Sequence, residues 1–153
     1  MATLLTKAFS AGVAYYGVAD LTALLAETHK FESRYFDTMI GPMPSAEATM
    51  VERSPVTHAD KATVPTLVMQ GLEDAVVPPA QAEAMVAALE ANEVPHAYLP
   101  FPGEQHGFRI ATNQVRALES ELSFYGQVFG FVPAGEIVPI QLRFADRLAG
   151  RPR

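Results

Sequence analysis

Three short apolar runs punctuate the chain, and each ends at turn-forming residues. Ser10-Ala-Gly-Val-Ala-Tyr-Tyr16 stops at Gly17, Pro65-Thr-Leu-Val-Met-Gln70 at Gly71, and His96-Ala-Tyr-Leu-Pro-Phe101 at Pro102-Gly103. None alternates strictly between apolar and polar positions. The second run, short and without alternation, suits a strand covered on both faces, and such strands pair in parallel; the other two read as further short strands. Helical patterns lie between and after them. Asp20 reads as the N-cap of a short helix over 21–27. Phe31, Tyr35, Phe36 and Ile40 recur at helical spacing up to Gly41-Pro42 and read as core or lid packing. Residues 43–63 read as loop and short helix, with Ser54-Pro55 opening a helical stub. Ala80–Ala91 is rich in helix formers, with Met85, Val86 and Leu89 toward the core, and Asn92 and Pro95 end it. Residues 109–129 form the last long helix, with Ile110, Val115, Leu118, Leu122, Phe124, Tyr125 and Val128 as its stripe.

This alternation predicts an α/β fold with about three parallel strands and flanking helices. Right-handed crossovers stack the strands at 11–16, 65–70 and 96–101 in that order. The ends differ in character. Residues 2–8 are helix formers and read as the end of a helix. From Val132 onward, Pro133, Gly135, Pro139 and Gly150-Arg-Pro152 break structure, and four of the eleven basic residues fall in 143–153. Residues 132–153 are therefore expected to form an irregular, solvated tail behind a domain over 1–131.

Composition narrows the function classes. With 49% hydrophobic and 18% charged residues, the 153-residue chain is globular in type. A net charge of −6 without a basic stripe argues against nucleic acid as a partner. There is no cysteine, hence no disulfide, thiolate metal site or cysteine nucleophile. The four histidines lack metal-binding spacing, and His29, His58 and His96 read as structural or surface residues. No apolar run approaches the roughly 18 residues that span a bilayer. The N-terminus lacks the charged start of a signal peptide, so the expected location is cytoplasmic.

The candidate chemistry sits after the second and third runs. Asp74 follows the second within Gly71-Leu-Glu-Asp-Ala-Val-Val-Pro-Pro79; His106 follows the third within Gly103-Glu-Gln-His-Gly-Phe108. Loops at the carboxyl ends of buried parallel strands are where open α/β sheets place their functional residues. Asp74 read alone is equally a turn residue. A general-base imidazole needs a carboxylate at its far nitrogen, and two adjacent strands ending in these residues supply that pair. The nucleophile is missing. No G-x-S-x-G elbow occurs anywhere in the chain. Ala8-Phe-Ser-Ala-Gly12 is a degenerate version, but it has a helix before Ser10 and a strand after it, the reverse of an elbow's context. Ser10 therefore reads as the serine leading into a strand.

Four stretches in order resemble the prolyl oligopeptidase family of serine peptidases, closest to its acylaminoacyl-peptidase and dipeptidyl-aminopeptidase branch. They are AGVAYYGVADL (11–21), RSPVTHADKATVP (53–65), GLEDAVVPPAQ and GEQHGF, and the resemblance extends to about Phe131. Gln105 stands where that family usually has glycine. The resemblance implies an α/β-hydrolase fold, with Asp74 as triad acid, His106 as triad base, a peptide substrate and no metal or organic cofactor. It also implies that the stripe of Phe31, Tyr35, Phe36 and Ile40 lies where the family builds part of its substrate pocket. The family's elbow precedes the strand at 11–16, so the chain is expected to be the C-terminal part of a catalytic domain, beginning just after its serine and inactive alone. An esterase or dienelactone-hydrolase-like substrate is the alternative within the same chemistry. A different class, a non-catalytic interaction module, follows from the strand at 11–16 being an open edge. Such an edge recruits a separate upstream chain or a second copy.

Overall fold

The computed structural model describes residues 6, 8–27 and 34–148. Three strands form one sheet: β1 (Gly12–Tyr15), β2 (Thr66–Gly71) and β3 (His96–Phe101). They are parallel and stand in the order β1-β2-β3, with Gly12 opposite Thr66 and Thr66 opposite His96. Between β1 and β2 lie α1 (Leu21–Glu27), α2 (Tyr35–Met39), α3 (Glu47–Arg53) and a 3-10 segment (Pro55–Lys61). Helix α4 (Pro79–Ala91) crosses from β2 to β3, and α5 (Ala111–Phe129) follows β3.

β2 is buried along its whole length, which explains its unbroken apolar run. On one face, Val68 packs with Ala82, Leu89 and Val94, flanked by Met85 and Val86 of α4. On the other, Leu67, Met69, Ala97 and Phe101 pack with Ala117 and Phe124 of α5. A third cluster of Leu24, Phe36, Ala46 and Met50 joins the short helices. Asp20 caps α1 as expected, its Oδ1 accepting from the Thr22 and Ala23 amides at 2.9 and 3.0 Å. The Gln81 Oε1 accepts from the Ala19 and Asp20 amides, fixing the start of α1 against α4.

Four expectations need correction or limits. The stripe expected on the last helix holds only in its second half: Phe124, Tyr125 and Val128 pack in the core, but Ile110, Val115, Leu118 and Leu122 are exposed, while Ala117, Ser120, Ser123 and Gly126 are buried. Ala117 packs against the sheet beside Phe124, Ser123 accepts from the Ile140 amide of the tail at 3.0 Å, and Gly126 lies against the Phe131 carbonyl. The tail is irregular and mostly exposed from 132 to 144, but it is anchored from Ile140 on. Ile140 and Leu142 pack on the α5 cluster, and Arg143 forms an antiparallel bridge to His96. Arg143 also pairs with Glu90 at 2.5 Å, and Arg147 with Glu93. The helix expected around 31–40 is the short α2, with Phe36 buried and Tyr35 exposed. Residues 2–5, Phe31, His29 and Ser33 lie outside the described residues.

Candidate active site

Because all three strands run the same way, their carboxyl ends share one edge of the sheet. There the acid loop after β2 and the histidine loop after β3 meet. The Leu72 amide donates to the Phe101 carbonyl at 3.1 Å and the Glu73 amide to the Glu104 carbonyl at 2.9 Å, tying the loops together. The Oδ2 of Asp74 lies 2.9 Å from the Nδ1 of His106. Asp74 is 3% exposed, whereas the His106 side chain is 40% exposed. A carboxylate only accepts hydrogen bonds, so Nδ1 carries the proton of this contact, and Nε2 is the ring nitrogen it leaves free.

The acid is held by its own loop. Asp74 Oδ1 accepts from the Val76 and Val77 amides at 2.9 and 2.8 Å. The Nε2 of Gln70, buried at the end of β2, lies 3.3 Å from Asp74 Oδ2 and within 3.1 Å of the Gly71 and Val77 carbonyls. The Gln70 Oε1 is buried without a protein partner.

The histidine loop opens with Phe101-Pro-Gly-Glu104. Pro102 and Gly103, with φ of +79° at the glycine, form a turn of the type that places proline first and glycine second. The Glu104 amide closes it on the Phe101 carbonyl at 3.3 Å. Gln105 and Gly107 pair across His106, which puts the imidazole at the tip; Gly107, at φ +93°, allows the reversal. Gln105 is accommodated in this path with its side chain exposed. The Glu104 carboxylate is 1% exposed and accepts from the Arg109 and Ile110 amides at 2.8 and 3.0 Å, and from the Asn113 side chain at 3.0 Å. Burial disfavours its charge, but these hydrogen bonds and the Arg109 charge outweigh that and hold its pKa below the ordinary glutamate value.

Tyr16, just past β1, completes the edge. Its φ is +41°, a left-handed conformation that costs a non-glycine residue of order 1–3 kcal/mol. The strained backbone lays its ring against the imidazole, centroids 5.0 Å apart, and edge-on to Phe108 at 5.3 Å. Behind it, Tyr15 and Tyr125 donate to the two oxygens of Glu121 at 2.7 and 2.9 Å. A groove of about 580 Å³ runs past Tyr15, Tyr16, Phe108, Leu118 and Glu121.

The structure brings Asp74 and His106, the two residues singled out in the sequence, within hydrogen-bond distance of each other. Sequence reading missed Gln70, Glu104 and Tyr16. A glutamine closing an apolar run was a usable signal for the first; nothing local marks the backbone of Tyr16. Ser10 stays apart. It precedes β1 at the amino edge, while the acid–base pair lies beyond Gly71, at least five residues along the register and so roughly 16 Å away. His96 is buried, its Nδ1 2.8 Å from the Val94 carbonyl. His58 is half-buried on the Glu52 carbonyl. Among the described residues, no cluster of three or more His, Asp or Glu is placed to hold a metal, and no helix is long and apolar enough to cross a membrane.

A profile of the prolyl oligopeptidase family matches residues 1–131. The chain belongs to that family. Its fold is the C-terminal part of the family's α/β-hydrolase domain. A puromycin-hydrolyzing peptidase of Mycobacterium tuberculosis is 48% identical and superposes with a TM-score of 0.88, over 93% of this chain and 22% of that one. A second solved puromycin hydrolase is 45% identical, with a TM-score of 0.87, over 92% of this chain and 21% of that one. Dipeptidyl aminopeptidase BIII of Pseudoxanthomonas mexicana is 34% identical over 116 residues, 72% of this chain and 17% of that protein. The chain therefore spans about a fifth of the length of these relatives. The family and these relatives are those of serine peptidases and hydrolases.

Proposed function

We propose that Asp74 and His106 are the acid and base of a Ser-His-Asp triad, and that this chain carries those two members of a peptidase's catalytic domain. The observation that carries the reading is the 2.9 Å contact between a buried carboxylate and a half-exposed imidazole on adjacent strand ends. The serine would come from a G-x-S-x-G elbow outside these residues. His106 Nε2 then takes the hydroxyl proton as the oxygen attacks an amide carbonyl. Asp74 stabilises the imidazolium that forms, and His106 passes the proton to the leaving amine. Water hydrolyses the acyl-enzyme by the same base. The names of the relatives, puromycin hydrolase and dipeptidyl aminopeptidase, support an aminoacyl or peptidyl amide as substrate.

The partner follows from the open side of β1. The Gly12 and Tyr16 amides bond inward to the Pro65 and Met69 carbonyls, so alternation turns the peptide groups of Val13 and Tyr15 outward. Exposed Leu118 of α5 continues that face, along with the groove beside Tyr15 and Tyr16. A segment that adds a strand to β1 and covers this face would bring the nucleophile. The chain alone is then inactive, and a fluorophosphonate probe should leave no adduct on it by mass spectrometry.

A chimera tests the triad directly. This chain replaces the matching C-terminal fifth of the Mycobacterium tuberculosis puromycin-hydrolyzing peptidase, and puromycin hydrolysis is followed. The chimera should turn over, and Asp74→Asn should lower kcat by about 10⁴-fold. An active chimera indifferent to His106→Ala sinks the assignment.

A further inference from the structure

Helix α5 begins without a cap of its own. Its N-cap position is Ile110, which has no side-chain acceptor, and its first turn holds no acidic residue. Glu104, six residues upstream and on the far side of His106, instead holds the two amides just ahead of the helix. Each Glu104 oxygen takes one backbone amide, from Arg109 and Ile110, and Oε1 also takes the Asn113 side chain. The carboxylate therefore closes the segment 105–108 into a ring whose neck is Glu104 and the start of α5. The main chain of Glu104 fixes that neck to the rest of the site. Its amide bonds to the Phe101 carbonyl at the end of β3, and its carbonyl accepts from Glu73 of the acid loop. His106 lies within the ring, and its only hydrogen bond among the described residues is to Asp74.

We propose that Glu104 is a positioning residue for His106: its carboxylate clips the histidine loop to α5 while its carbonyl ties the same loop to the acid loop, and together they set the imidazole against Asp74. This rests on the acid–base reading of Asp74 and His106. Stabilising a helix alone would need no such span, because a serine at position 110 would cap α5 locally. The remote carboxylate makes the path of residues 105–108 and the start of α5 a single unit.

The test uses the full chain labelled with nitrogen-15, and reads the His106 tautomer by two-bond nitrogen–proton correlation alongside amide exchange and helix content. In the wild type, the Nδ1–H tautomer dominates. Glu104→Gln keeps the three strands and α5 by circular dichroism, but the His106 tautomers mix and the 105–108 amides exchange about tenfold faster or more. Glu104→Gln combined with Ile110→Ser recovers the lost thermal stability and leaves the tautomers mixed. Recovery of both by Ile110→Ser reduces Glu104 to a cap and overturns the proposal. Asp74→Asn separates the two claims. It should lose the Nδ1–H tautomer while the Arg109 and Ile110 amides stay protected. If Asp74→Asn keeps that tautomer, the acid–base reading fails and the proposal falls with it. A changed His106 in Asp74→Asn beside an unchanged one in Glu104→Gln overturns the proposal alone.

Discussion

Gly71, where β2 ends, meets the histidine loop at a distance that leaves no room for a side chain. A β-carbon built there would lie 2.5 Å from both the Glu104 and Gln105 carbonyl oxygens and 2.8 Å from the Glu104 carbonyl carbon. All three are main-chain atoms, so no flexible side chain can yield. Ordinary contact begins near 3.4 Å, so Gly71→Ala must push the neck of the histidine loop back by about 0.9 Å. That neck leads directly to His106, whose bond to Asp74 is 2.9 Å long. Overpacking of this kind costs about 1–3 kcal/mol, a fall in Tm of roughly 3–9 °C for a chain of this size. A displacement near 1 Å at reacting groups costs about 100-fold in rate, which the chimera would report as kcat for puromycin. In the isolated chain, the nitrogen-15 spectrum should show His106 losing its Nδ1–H preference. Val68→Ala is the comparison: it removes buried volume under α4, costs about 2 kcal/mol, and should leave the His106 spectrum unchanged. If Gly71→Ala matches the wild type in both Tm and His106 tautomer, the close packing of the two loops does not set the alignment.

Phe124→Ala empties the centre of the α5 cluster and should cost about 3–5 kcal/mol by urea unfolding. Acid should destabilise the fold through two carboxylates. Hydrogen bonds from Arg143 lower the pKa of Glu90, and that of Glu104 is lowered although burial opposes its charge. Their contribution is present above the unfolded glutamate value of about 4.3 and is lost as pH falls through the lowered folded values. The urea midpoint should drop over that window, and less steeply in Glu104→Gln. At the other extreme, burial first, and then the hydrogen bond to Glu121, raises the Tyr15 pKa, and burial likewise leads the rise at Tyr98 and Tyr125. Stability from these phenols is present below the unfolded value of about 10 and is lost as pH rises beyond it. Phenolate absorbance in the folded chain should therefore appear later than in urea.

What could be read from the sequence follows from which forces act locally. β2 was legible because burial on both faces removes polar positions from the run, and the proline and glycine at its ends fix its limits. Asp74 and His106 were legible because each follows such a strand within a recognisable loop. The buried face of α5 was not. Counting large apolar residues favoured Val115, Leu118 and Leu122, whereas the buried positions include the small Ala117 against the sheet and Gly126 against the Phe131 carbonyl and Pro133. The anchored tail was hidden for a similar reason. Arg143 and Arg147 look like a solvated charge run until Glu90 and Glu93, more than fifty residues away in sequence, are brought beside them. Glu104 acts across its own loop, a span that no capping pattern in the sequence describes.

The bridge between His96 and Arg143 gives the sheet a direction of growth. The tail occupies the outer side of β3 only at its start, at His96, whereas among the described residues no strand pairs with the outer side of β1. The symmetry of any pairing there then reveals the identity of the partner. Two copies joined across β1 by a two-fold axis must run antiparallel, and the assembly stops at six strands. A strand continuing the order of a parallel sheet runs the same way as β1, which no two-fold can produce. The relative direction of a single strand pair, read from cross-linking or backbone contacts at Val13, would therefore distinguish self-association from completion by a different segment.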